Sequence, residues 1–73
     1  MGKQLHPKVI RSNKAHDRLG AKYFNDDSIL GMAKEMYHHF VIGEQYKKNK
    51  ILSKSEKKKI FNDSLHNAKV MKK

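Results

Sequence analysis

From Ile29 onward the apolar positions Leu30, Met32, Ala33, Met36, Tyr37, Phe40 and Val41 fall on one broad face when the chain is wound at about 100° per residue, as in an amphipathic helix. Past Gly43 the same winding would turn Glu44 into that face and Tyr46 out of it. The pattern therefore predicts a helix over 28–43 with Gly43 as its C-terminal glycine, followed by a basic connection from Glu44 to Leu52. Downstream, Ile60, Phe61, Leu65, Ala68 and Met71 share a second apolar face, opposite Lys59, Asn62, His66, Lys69 and Lys73. Ser53 with Glu56 three residues later matches a capping box, whose reciprocal side-chain bonds satisfy free N–H groups at a helix start, so a helix is expected over 53–72.

The first segment is weaker. Pro7 suits the first helical position, where a missing N–H costs nothing, and a helix over 7–24 follows. Its apolar side is thin: Val9, Ile10, Leu19, Tyr23 and Phe24, interrupted by Ser12 and His16. Asn25, Asp26, Asp27 and Ser28 then read as a turn whose short polar side chains cap the next helix. No stretch alternates with period two, so the expectation is an all-α, small three-helix domain occupying 1–73, its core centred on Met36, Phe40, Phe61 and Leu65.

At 73 residues there is room for one small core and no second domain. Cysteine is absent, so packing or a partner must supply the stability that disulfides or thiolate-bound metals give other small domains. No apolar run approaches the roughly 18 residues that a membrane span requires, and no leader-like segment precedes the first helix. A cytoplasmic protein without membrane contact is expected.

Charge changes the picture most. Seventeen Lys and Arg against seven Asp and Glu give a net charge of +10. This exceeds the charge of about 2 to 8 that suffices to keep a small domain in solution. The excess is patterned: Arg11, Lys14, Arg18 and Lys22 recur at steps of three, four and four, and Lys59, Asn62, His66, Lys69 and Lys73 form a second stripe. Between them lie Lys47, Lys48 and Lys50, then Lys57 and Lys58 next to Lys59. Such faces suit a polyanion, either nucleic acid or an acidic protein surface.

Other chemistries find little support. A helix-turn-helix over 18–34 would set Asp26 and Asp27 against phosphate oxygens and Gly31 early in the reading helix. Of the five histidines, Glu35 and His39 share a helix face, but two ligands do not make a closed metal site, and all five read as surface residues. No nucleophile and base stand at a recognisable spacing and no glycine loop cradles phosphate, so no catalytic residue, metal or cofactor is assigned and the chain is not read as an enzyme. Ile42 and Val70 fall on the polar faces of their helices and are candidate protein contacts.

Two functions fit. The first is a basic helical protein that contacts nucleic acid, DNA rather than RNA, mainly through the phosphate backbone; its richness in Lys, Asn and Ile suits a phage or mobile-element regulator from an AT-rich genome. The second is a small inhibitor or regulator that docks on an acidic patch of a larger enzyme of transcription, replication or defence.

Overall fold

The computed structural model describes residues 4–71, and Lys73 lies outside them. Three helices make up the fold: α1 (Pro7–Ala21), α2 (Ile29–Lys48) and α3 (Lys54–Met71). Both α1 and α3 pack on α2, while their backbones stay clear of one another. Each runs antiparallel to α2. Lys34 meets Tyr23 at one end of the α1–α2 pair and Gln45 meets Ser12 at the other, while Phe61 lies against Tyr37 and Glu56 pairs with Lys48. No helix among the described residues is long and apolar enough to cross a membrane.

The starts of the helices follow from capping. Pro7 opens α1, and the side chain of His6 accepts the N–H of Lys8. Ser28 caps α2, its hydroxyl accepting the N–H of Gly31 at 3.0 Å while it donates to Asp26 at 2.7 Å. At α3 the capping box forms in full: the N–H of Ser53 donates to Glu56 Oε1 and the N–H of Glu56 to Ser53 Oγ, both at 3.2 Å.

The end of α2 departs from the expected 28–43. The helix continues to Lys48 and stops at Asn49, whose left-handed φ of 54° breaks the winding. Continuation is favoured because Gln45 extends the column Ala33, Tyr37, Val41 by one more turn and is completely buried. Its polarity is fully used. Nε2 donates to Ser12 Oγ (3.0 Å) and Asn13 Oδ1 (2.9 Å), and Oε1 accepts the N–H of Leu52 (3.2 Å). Gly43 is thus an interior helical residue, and apart from its chain neighbours and the nearby backbone of its own helix nothing lies within 4 Å of where a Cβ would sit. Gly43→Ala should stabilise the domain by about 0.5–1 kcal/mol, read as a rise in melting temperature; a drop would restore a helix end at that position.

The core also lies elsewhere than expected. Val9, Ala33, Val41, Leu52 and Ala68 are the buried apolar residues, whereas Phe40 is 49% exposed and Met36, Phe61 and Leu65 are half-buried. Small residues at the crossing explain the shift. Ala33, Ser64 and Ala68 let α2 and α3 approach closely, so the large side chains spread to the sides of the contact. On the other side Gly20 permits α1 to approach α2, since a Cβ there would stand 3.2 Å from His38 Cβ.

Candidate polyanion interface

Because α1 packs against α2 alone, only one of its sides is covered: Val9, His16 and Gly20 are buried, and Ser12 and Asn13 half-buried. Its outer half is left to cations. Arg11, Lys14, Arg18 and Lys22 are all exposed. At 100° per residue they fit within an arc of roughly 80° and extend about 16 Å along the axis. Among the described residues no carboxylate pairs with any of the four. They form one continuous cationic ridge.

On α3, Lys58, Lys59, Asn62, His66 and Lys69 are exposed along the outer side, as the periodicity requires. Lys57 differs. It is half-buried, and its ammonium acts on His16 from across the molecule. Lys54, Lys57, Lys58 and Lys59 occupy the first two turns of α3, beside the positive end of the helix dipole, with Glu56 the acidic residue of the first turn. That placement opposes folding, since cations are stabilising at the other end of a helix, and it leaves the lysines available to an anion. Replacing Lys57, Lys58 and Lys59 together with Gln should leave the melting temperature unchanged or slightly higher while weakening polyanion binding. Loss of folding in that variant would make the cluster structural.

In the last turn of α2 Lys47 is exposed and Lys48 is paired with Glu56 at 3.3 Å, so part of its charge is neutralised within the chain, and Lys50 is exposed in the connection to α3. Of the two apolar residues expected on polar faces, Val70 is 56% exposed. Ile42 is not free: it is half-buried and lines a hollow with Leu5, Ile10 and Asn13 at the edge of the α1–α2 contact. Asp17 stands at the edge of the ridge, where it lines a hollow with Lys14, and other carboxylates gather between α2 and α3. Glu44 and Asp63, with Phe40, Ile60 and Asn67, line a hollow of about 290 Å³ between α2 and α3, and Glu56 lines the adjoining one. Lys48 and Lys59 line that second hollow as well, so acidic charge dominates only the first.

The histidines do not all lie on the surface. His16 is buried at 9% exposure, and its Nδ1 stands 2.8 Å from Nδ1 of His38, a distance at which one ring must donate its proton to the lone pair of the other. The rings of Tyr37 and Tyr23 enclose the pair. Burial first, then the charge of Lys57 and then His38, lower the pKa of His16 from 6.5 to about 4. Burial, then His39 and Lys34, lower that of His38. His16 stands seven residues after Val9, on the same side of α1, which is the sequence signal for its burial. Among the described residues no three His, Asp or Glu side chains converge as metal ligands. No protein-family model, curated protein or solved structure matches the chain.

Proposed function

We propose that this chain is a small basic binding protein that grips nucleic acid, DNA in preference to RNA, mainly through the phosphate backbone, in a cytoplasmic setting such as that of a phage or mobile-element regulator. The observation that carries this reading is the unpaired ridge Arg11, Lys14, Arg18 and Lys22 on α1. An exposed cationic helix suits the wide major groove of B-DNA and its flanking phosphates, whereas the major groove of A-form RNA is too narrow to admit it. Lys58, Lys59 and Lys69 supply a second set of phosphate contacts, with Asn62 and His66 between them.

The test is a titration of labelled duplexes of unrelated sequence at two salt concentrations. Affinities should be similar across sequences, and log K should fall with log salt by about 0.9 for each phosphate neutralised. Absence of binding to DNA or RNA at low salt would overturn the reading, because screening is weakest there. The rival reading, a regulator docked on an acidic patch of an enzyme, is favoured by Phe24, Val70 and Met71, which are 75%, 56% and 65% exposed. It requires binding to one protein that survives nuclease treatment and is lost on Val70→Glu.

A further inference from the structure

The contact between α1 and α2 carries a row of polar side chains beside buried Val9 and Val41 and the apolar edge formed by Leu5, Ile10 and Ile42. On and just beyond α2 a column of Lys34, His38, Val41, Gln45 and Asn49, spaced by three and four, supplies the polar partners of α1 and its flanking segments, with the ring of Tyr37 edge-on to His16 beside it. Val41 is the one apolar member of that column. Asn49 accepts the N–H of His6 at 2.8 Å and donates to the carbonyl of Gln4 at 3.1 Å; Gln45 holds Ser12 and Asn13; His38 holds His16; Lys34 lies 5.2 Å from the centre of the Tyr23 ring. Among the described residues no histidine pair links α2 to α3. The α2–α3 contact includes buried Ala33 and Ala68, the edge-on rings of Tyr37 and Phe61, 5.7 Å apart, and the Lys48–Glu56 ion pair.

We propose that the α1–α2 seam is an acid-opened joint, in which protonation of the His16–His38 pair releases α1 from an α2–α3 hairpin that stays folded.

The chemistry of the pair sets the response. With both rings neutral, one Nδ1–H donates to the other Nδ1. One added proton can sit on the Nε2 of the donor ring and leave that bond intact. A second must go to the accepting Nδ1, and two N–H groups then face each other at 2.8 Å. The charged groups acting on the pair oppose even the first proton, because all are basic: Lys57 from α3, and Lys34 and His39 from α2. Tyr37 and Tyr23 offer ring faces and edges, and the Tyr37 hydroxyl holds its proton above its ordinary range because of burial, so it supplies no negative charge. Both histidines therefore bind protons more weakly in the closed seam than in released chain. The seam is at full strength above pH 6.5 and weakens as the pH falls from there towards about 4.

The proposal is independent of what the α1 ridge binds, since it rests on the seam alone. Its test is an NMR titration of the unaltered protein from pH 8 to pH 4 in the absence of nucleic acid, following the histidine ring carbons together with backbone amides of all three helices. His16 should titrate near 4 and His38 below 6.5. Over the same range the amides of α1 should lose dispersion and exchange protection, while those around Ala33 and Ala68 keep theirs. In His38→Gln the acid-dependent change in α1 should be smaller, because only the burial of His16 and the charge of Lys57 then oppose its protonation. Amides of α1 unchanged down to pH 4 would overturn the proposal. So would loss of all three helices at one midpoint, or an acid transition in His38→Gln matching that of the unaltered chain.

Discussion

Gln45→Ala should unfold much of the domain at neutral pH, with an expected cost of about 3–5 kcal/mol against the stability of roughly 5 kcal/mol typical of a domain this small. The truncation removes the bonds to Ser12 and Asn13 and strips the N–H of Leu52 of its acceptor at a buried position. An unpartnered buried donor costs about 1–3 kcal/mol by itself, and the void left by the side chain adds the remainder. Gln45→Met separates the two parts. It keeps the volume and loses the hydrogen bonds, so it should cost about 1–3 kcal/mol. Urea denaturation followed by circular dichroism measures both. A Gln45→Ala protein as stable as the unaltered chain would mean that the last turns of α2 carry no load and that α1 is held by other contacts.

Gln45 also marks where the sequence is legible and where it is not. Elements that announce themselves through local chemistry are readable: Pro7 at the start of α1, Ser28 at the start of α2, and the reciprocal Ser53 and Glu56 bonds at α3. The three-helix, all-α architecture follows from these signals and from the apolar periodicity of the second and third segments. The seam between α1 and α2 was hidden because hydrophobic periodicity registers apolar side chains only. Ser12, His16, His38 and Gln45 look like interruptions or surface residues until their partners across the seam are known. Gly43 misled for the same reason. It suggests a helix end only when the polar residues beyond it are assumed to face water, and Gln45 does not.

The candidate interface is more readable than the core. Exposure of Arg11, Lys14, Arg18 and Lys22 follows from their spacing, because a ridge three and four residues apart cannot also face α2 when Val9, His16 and Gly20 do. The pairing of Lys48 with Glu56 is less accessible from sequence, since it depends on the turn that folds α3 back along α2. The convergence of Glu44 and Asp63 beside Phe40 has the same origin: these residues come from two helices, and only the crossing brings them to one hollow.

Replacing Arg11, Lys14, Arg18 and Lys22 together with Gln should change nucleic-acid affinity more than any other substitution of surface residues while leaving the fold in place. The four side chains are exposed and pair with no carboxylate among the described residues, so their loss removes little intramolecular energy. Arg18 alone lies in the last turn of α1, where a cation complements the helix dipole, and its replacement costs about 0.3–1 kcal/mol. If each of the four neutralises one phosphate, the slope of log K against log salt becomes shallower by about 0.9 per residue, and affinity near 0.15 M salt falls by roughly a thousandfold. Glutamine in place of lysine or arginine keeps helix propensity close to its original value, so circular dichroism should show the helices retained. The comparison with the Lys57, Lys58 and Lys59 variant then locates the interface. A larger loss from the α1 variant places α1 against the phosphates; a larger loss from the α3 variant assigns that role to α3; and an unchanged salt slope in both removes the phosphate backbone as the partner of this chain.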